Sequence, residues 1–358
     1  MMNEKIGILG AGAWGTAIAC ALARNGHSVV LWSHRQEVCT TVNNEHINKL
    51  YLPGYELPPS ISASVDMQEV CCGAAILFLA SPSLYLIDTV RQLLTVAPFN
   101  AGGNEVSSYP LIAILTKGFV LDEQEQPQLI IDVLEKILPD LYRDHLVYVA
   151  GPSHGEEVAA GKLTGLIAAS KNPLNSIRCR EILKSRSLLV YSSLDIVGVQ
   201  VCAAVKNVIA IAFGLLDALI EHSDFFGDNA ESLLLAAGLN EIQLIGRAMG
   251  ATHPETFTSI SGIGDLDVTC RSKYGRNRKF GREIITADIL EPFTGIDNLV
   301  EHIDDLGYLP EGIMACFYLN KLAVRYDLKL PLCTGLYKML NKELGYTEFI
   351  EELLSGKN

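Results

Sequence analysis

From residue 5 to about residue 195, short apolar runs alternate with stretches whose apolar residues recur every three or four positions. The runs are Lys5 to Leu9, Ser28 to Trp32, Ala74 to Ala80, Leu111 to Leu115, Leu146 to Ala150, Leu166 to Ala169 and Leu188 to Tyr191. Helical spacing governs Thr16 to Arg24, Ser83 to Leu94, Leu129 to Leu138 and Leu174 to Lys184. Near-continuous apolar strands separated by helices are the pattern of a parallel sheet covered on both faces. This half is therefore predicted to be a doubly wound α/β domain. After Asp195 the strand signal fades, and helical segments dominate at 196–222, Ser232 to Met249, Glu311 to Tyr326 and Gly335 to Leu344. The expected boundary lies near 192–196, where Ser192-Ser193 precedes Asp195 as a possible helix N-cap. Residues 1–194 then form the first domain and 195–358 an all-α second domain, two domains being the prior for 358 residues. The segment Pro98 to Pro110, with Ala101-Gly102-Gly103-Asn104, reads as a mobile surface loop.

One helical segment carries an anomaly. Lys206 is the only charge in the 21 residues between Asp195 and Asp217. Taking an ammonium out of water costs several kcal/mol unless an anion compensates it, and a buried lysine has a labile pKa suited to proton transfer. The stretch is long enough for a bilayer span, but Lys206 at its centre opposes insertion by roughly 2.5 to 3.5 kcal/mol, and Gln200 and Asn207 add to that. A helix in a soluble core fits better. There Lys206 either serves chemistry or meets a structural carboxylate.

Composition narrows the partners. With 28 Lys plus Arg against 41 Asp plus Glu, the net charge of −13 repels nucleic acid and anionic membranes, so an anionic ligand requires a local basic patch. Nine scattered cysteines, none in a C-x-x-C pair, suggest reduced thiols in a cytoplasmic protein without a metal site. The apolar stretch Ile6 to Ala23 ends in Ala21-Leu22-Ala23 but is preceded only by Lys5 and broken by Gly7, Gly10, Gly12 and Gly15, which argues against a secretory leader.

Those glycines have a sharper meaning. Gly10-Ala11-Gly12-Ala13-Trp14-Gly15 is a G-x-G-x-x-G directly after the first apolar run and at the opening of a helix, the context that makes the pattern a dinucleotide site in a Rossmann-like domain. Gly10 permits the tight turn, Gly12 lets the backbone approach a pyrophosphate, and Gly15 lets helix and strand pack. The second run ends Leu31-Trp32-Ser33-His34-Arg35, without the acidic residue that usually meets the ribose hydroxyls of NAD. His34 and Arg35 suit a 2′-phosphate, so NADP is slightly favoured over NAD, with dual use possible.

Further candidates follow the later strands. Lys117 in Thr116-Lys117-Gly118 and the turn Gly151-Pro152-Ser153 both sit just past apolar runs, where doubly wound sheets bind ligands. In Gly262-Ile263-Gly264-Asp265, Asp265 is a candidate partner for Lys206, although Gly-Asp turns also serve as caps. The stretch from Arg271 to Arg282 packs six cations into 12 residues of an acidic protein, which reads as a phosphate-binding patch or a solvated charged face.

Taken together, these residues resemble the bacterial NAD(P)-dependent sn-glycerol-3-phosphate dehydrogenase family. The resemblance rests on G-x-G-x-W-G-T-A at 10–17, T-K-G at 116–118, G-P-S at 151–153, A-V-K-N-V-I-A-I at 204–211, G-D-N-A at 227–230, G-x-G-D-L at 262–266 and R-N-R at 276–278. It implies reversible hydride transfer between NAD(P)H and dihydroxyacetone phosphate, giving sn-glycerol 3-phosphate for glycerophospholipid synthesis. It implies Lys206 as the catalytic proton donor and acceptor, supported by Asp265 and Lys117. It places Lys117, Gly151, Ser153, Asn207, Asp265, Thr269, Gly275, Arg276 and Asn277 at the triose-phosphate site. Gly10, Gly12, Ala13, Trp14, Gly15, His34, Arg35, Lys117, Gly155, Arg276, Leu309 and Glu311 would lie against the dinucleotide. A homodimer, no metal, no nucleic-acid partner and no stable membrane insertion are also implied. Ala13 and Gly275 stand where the family often has serine, which removes a hydroxyl at each position but no backbone donor.

Overall fold

The computed structural model describes residues 3–101, 109–272 and 275–355, so most of the expected loop between Pro98 and Pro110, and Lys273 and Tyr274 of the basic stretch, lie outside the described residues. The chain divides into two compact units, residues 1–120 with 130–196, and residues 121–129 with 197–358. The short segment Leu121–Leu129 thus belongs with the helical unit, whereas an uninterrupted first domain was expected.

The first unit runs β1 (Lys5–Leu9), α1 (Ala13–Arg24), β2 (Ser28–Trp32), α2 (Gln36–Glu45), β3 (Ile47–Asn48), β4 (Leu52–Glu56), β5 (Ile61–Ser64), α3 (Met67–Cys71), β6 (Ile76–Leu79), α4 (Ser83–Leu93) and β7 (Leu111–Ile114). After β8 (Phe119–Leu121) and β9 (Pro127–Leu129) come α5 (Ile130–Ile137), β10 (Val147–Ala150), α6 (Gly155–Ala159), β11 (Thr164–Ala169), α7 (Pro173–Leu183) and β12 (Leu188–Ser193). Eight strands form one sheet in the order β12-β11-β10-β7-β6-β1-β2-β5. The centre is apolar because Ile6, Ile8, Leu9, Ile76, Phe78, Ile112 and Val149 are fully buried, each such side chain contributing about 1.5 to 3 kcal/mol.

Two expectations change in detail. The sheet is not wholly parallel: β11 runs antiparallel to β10, pairing Tyr148 with Ala169 and Ala150 with Ile167. Their connection carries only the short helix α6, so the chain reverses without a full crossover. Strand β5 and helix α2 were also missing from the expected elements. Strand β5 pairs only with β2 and alternates buried and exposed positions, and α2 buries only Val38, Cys39 and Val42. Neither is apolar enough to stand out by periodicity.

The helical unit contains α8 (Ile196–Ile220), α9 (Asp228–Ala248), α10 (Asp265–Arg271), α11 (Arg276–Thr286), α12 (Ile296–Glu301), α13 (Glu311–Arg325), α14 (Pro331–Leu340) and α15 (Tyr346–Ser355). By length and composition α8 could cross a membrane, but 94% of its most apolar window is buried inside the protein. Its neighbours approach it backbone to backbone. A Cβ on Gly281 would lie 2.0 Å from the carbonyl oxygen of Ile211, and one on Gly312 would lie 2.5 Å from that of Asn207. Glycine at these positions lets α13 and α11 cross α8 at Asn207 and Ile211, just after Lys206.

A buried carboxylate organises another junction of this unit. Glu241 on α9 accepts hydrogen bonds from the backbone N–H groups of Leu332 (2.5 Å) and Cys333 (2.9 Å), in the first turn of α14. Helix-start N–H groups lack intrahelical partners, and a carboxylate satisfies them well. Burial nevertheless pushes the Glu241 carboxyl above its ordinary value, against the pull of those N–H groups.

Candidate active site

The first unit presents a glycine turn. Gly10 has φ of +128°, and a Cβ there would lie 2.6 Å from the backbone of Ala80, so only glycine fits. Around Gly12 there is open space, which leaves the backbone approachable. At Gly15 a Cβ would strike the carbonyl oxygen of Gly10 at 2.1 Å. Helix α1 starts here with no side-chain cap and no acidic residue in its first turn. Trp14 packs against the core of the sheet unit, and its buried Nε1 has no hydrogen-bond partner. Gly155 opens α6 beside Ala13, a Cβ at Gly155 lying 3.3 Å from the Ala13 carbonyl oxygen.

The other candidates of this unit gather at the carboxyl ends of the strands. His34 and Arg35 follow β2 and are exposed, Arg35 pairing with Glu37 at 3.4 Å. Past β7, the half-buried Lys117 extends its Nζ to the hydroxyl of Ser153 at 3.4 Å, and that hydroxyl donates to the carbonyl of Gly151 at 2.8 Å. Lys117, Gly151 and Ser153 therefore share one corner. An uncapped helix start, open space at Gly12 and no acidic group in that first turn fit the pyrophosphate of a dinucleotide.

In the helical unit, Lys206 is 4% exposed and Asp265 is fully buried. The Lys206 ammonium donates to an Asp265 carboxylate oxygen and to the Thr269 hydroxyl at 3.0 Å. Thr269 in turn donates to the backbone carbonyl of Asp265 at 2.6 Å. Asp265 opens α10 directly after the π-helical turn Ile260–Gly264, where Gly262 leaves helical geometry and a Cβ would strike the Phe257 carbonyl oxygen at 2.1 Å. The glycine-loosened turn thus lets the chain bend sharply enough to bring the carboxylate to Lys206. Asn207, the next residue on α8, is also buried.

The basic stretch divides. Arg271 pairs with Asp267 at 2.6 Å, Arg282 with Glu221 at 2.7 Å, and Lys279 with Glu283 at 3.5 Å while lying 4.2 Å from the centre of the Tyr308 ring. Arg278 grips Asp217 with two nitrogens, at 2.5 and 2.7 Å, and donates to the carbonyl of Arg271. The Asp217 carboxylate holds its guanidinium even more firmly charged than usual. Among the described cations of this stretch, exposed Arg276 alone has no carboxylate partner. Among the described residues the expected six-cation patch, whose Lys273 lies outside them, leaves Arg276 without a carboxylate, with Gly275 before it at the start of α11 and Asn277 after it. The Asn277 side-chain oxygen accepts from the Gly312 N–H at 2.9 Å, which leaves its amide nitrogen free to donate elsewhere. Leu309 and Glu311 are half-buried at the start of α13.

Sequence reading passed over Asn48 and Asp217. Asn48 is fully buried and holds the glycine turn, and Asp217 neutralises Arg278. A polar residue in a two-residue strand and an aspartate 61 positions from its arginine leave no local pattern.

A glycine turn for dinucleotide in one unit and a buried lysine–aspartate pair in the other are the working parts of a nicotinamide-dependent oxidoreductase. The family model for the N-terminus of NAD-dependent glycerol-3-phosphate dehydrogenase matches residues 5–176, and that for its C-terminus matches residues 195–351. The chain belongs to this family. It is 69% identical over 355 residues to glycerol-3-phosphate dehydrogenase [NAD(P)+] of Treponema denticola, covering 99% of each chain. The Treponema pallidum enzyme of the same description is 57% identical, with 98% of this chain and 99% of that one covered. Among solved structures, glycerol-3-phosphate dehydrogenase from Coxiella burnetii superposes with a TM-score of 0.81 at 29% identity, covering 98% of this chain and 99% of that one. The chain is an NAD(P)-dependent oxidoreductase, and a Rossmann-like sheet unit with a helical second unit is its fold.

Proposed function

We propose that this chain interconverts dihydroxyacetone phosphate and sn-glycerol 3-phosphate with Lys206 as the group that moves the proton. The observation that carries the reading is an ammonium buried in an apolar helix and held by Asp265 and Thr269. Bound NAD(P)H supplies the hydride that reaches C2 of the substrate. As the C2 oxygen gains negative charge, Lys206 Nζ gives it a proton, and in the reverse direction Nζ takes that proton back. Asp265 and Thr269 fix where the ammonium points. On the family resemblance Lys117, Gly151 and Ser153, which share one corner of the sheet unit, also serve the triose phosphate. Arg276, the Asn277 amide and the backbone of Gly275 hold the substrate phosphate, and that binding energy orients the carbonyl. Asn207 lines the site beside Lys206.

For the dinucleotide, Gly10, Gly12, Ala13, Trp14 and Gly15 receive the pyrophosphate with Gly155 beside Ala13, and the family resemblance adds Lys117, Arg276, Leu309 and Glu311. His34 and Arg35 receive the 2′-phosphate of NADP, since no carboxylate at the end of β2 is available for a ribose hydroxyl. The product feeds the backbone of glycerophospholipids. We assign the protein to the cytoplasm, to which its nine free cysteines, eight of them buried, are suited, and on the family resemblance to a homodimer.

Nicotinamide absorbance tests the reading directly. Purified protein should oxidise NADH or NADPH with dihydroxyacetone phosphate, and Lys206→Ala should abolish turnover while dinucleotide binding survives. Equal rates in Lys206→Ala and wild type would remove Lys206 from the chemistry. Turnover of unphosphorylated dihydroxyacetone as fast as the phosphate ester would remove Arg276 from its role.

A further inference from the structure

Asn48 lies far from the glycine turn in sequence, yet its side-chain amide nitrogen is spent beside it. It is fully buried in β3. Its amide nitrogen donates to the carbonyl oxygen of Ala11 at 2.8 Å and to the hydroxyl of Thr16 at 2.8 Å. The same Thr16 hydroxyl, also buried, donates to the Ala11 carbonyl at 3.3 Å, and the Asn48 oxygen accepts from the Tyr51 N–H at 3.1 Å. Ala11 is the residue between Gly10 and Gly12. Gly10 sits at positive φ, and a Cβ on Gly12 would meet nothing within 4 Å, so side-chain contact from these two residues does little to fix the peptide planes here.

The direction of those planes decides what the turn can bind. An anion needs N–H groups facing it and carbonyl oxygens facing away, since a carbonyl rotated toward a phosphate presents negative charge to negative charge. We propose that Asn48 is a positioning residue for the dinucleotide site, pinning the Ala11 carbonyl inward with Thr16 so that the N–H groups of the turn stay directed at the pyrophosphate. This rests on the assignment of the turn to NAD(P). The amide is required: a carboxylate of the same shape has no donor for the Ala11 carbonyl and adds a negative charge behind the anion.

Calorimetric titration of the full-length protein with NADH and NADPH tests this. Asn48→Ala should weaken both dinucleotides about tenfold, the effect of one net hydrogen bond lost. The factor should be the same for the two, because they share the pyrophosphate, and Asn48→Asp should weaken both further. At saturating dinucleotide, kcat should remain near wild type. Tyr142→Phe serves as the structural control. It loses a buried hydrogen bond to the Pro110 carbonyl, at the amino end of β7, opposite the carboxyl edge that carries the turn. It should lower Tm and leave both dissociation constants unchanged. If Asn48→Ala does not fold, Thr16→Val removes the second arm of the clamp at constant shape and should also weaken binding. Binding within about twofold of wild type in a folded Asn48 or Thr16 variant overturns the proposal. Failure of the wild type itself to bind either dinucleotide overturns the site assignment beneath it.

Discussion

Lys206 carries a charge where water hardly reaches, and the groups that compensate it include one carboxylate and one hydroxyl from α10. Removing one partner of such a pair leaves an uncompensated buried charge, whereas replacing both with apolar residues of similar volume is often neutral or stabilising. Asp265→Asn is therefore expected to lower stability by about 3 to 5 kcal/mol in denaturant titration, together with a large loss of kcat. The double variant Lys206→Met with Asp265→Leu should recover most of that stability and remain inactive. A double variant with restored turnover would show that the pair serves folding alone. At the other candidate cluster, His34→Ala should raise KM for NADPH more than KM for NADH, because only NADPH carries the 2′-phosphate that an exposed imidazole can meet. Equal effects on the two cofactors would remove His34 from that contact.

Between helices, what matters is how closely backbones approach. Helix α11 carries Arg276 and Asn277 and crosses α8 at Gly281, where the Ile211 carbonyl leaves no space for a side chain. Gly281→Ala should push the two helices apart, destabilise the protein by about 1 to 3 kcal/mol through overpacking, and raise KM for dihydroxyacetone phosphate. Denaturant titration together with steady-state kinetics reads both effects. Glu241 makes a pH-dependent contribution at another helix contact. Burial raises its folded-state pKa above the ordinary 4.5, so the folded protein keeps a proton that the unfolded chain has already lost. Its contribution to stability is present below the ordinary value and lost as pH rises through the folded value. Glu241→Gln does not titrate, so the stability of wild type relative to this variant should fall as pH rises above the ordinary carboxyl value. A difference that stays constant as pH rises would mean the carboxyl titrates normally. These helix contacts also mark where sequence reading stopped. The β1-α1-β2 start and the long helices were legible because burial on both faces, or all round, leaves near-continuous apolar runs. The Lys206–Asp265 pair was legible because a lone charge in such a helix demands a counter-ion. Edge strand β5, half-polar α2 and the ion pairs that divide the basic stretch were not, since each depends on partners distant in sequence.

The molecule as a whole is acidic, with a net charge of −13, while both the cofactor and the substrate of the proposed reaction are anions. Two electrostatic contributions then oppose each other: a general repulsion from the surface and a local attraction from the cation proposed to hold the substrate phosphate. Salt acts on both, with a screening length of about 10 Å at 0.1 M. Arg276 is exposed and, among the described cations of its stretch, is the one free of a carboxylate, so its attraction for a phosphate is open to solvent ions. In wild type the local attraction should dominate, and KM for dihydroxyacetone phosphate should rise with ionic strength. Arg276→Ala removes that attraction but keeps the general repulsion, so its KM should be higher at low salt and respond more weakly, or even in the opposite sense, as salt is added. Steady-state kinetics of both proteins across a salt series at fixed pH measures the two slopes. Parallel slopes would mean that the phosphate is held by other groups and that Arg276 is only part of a solvated face.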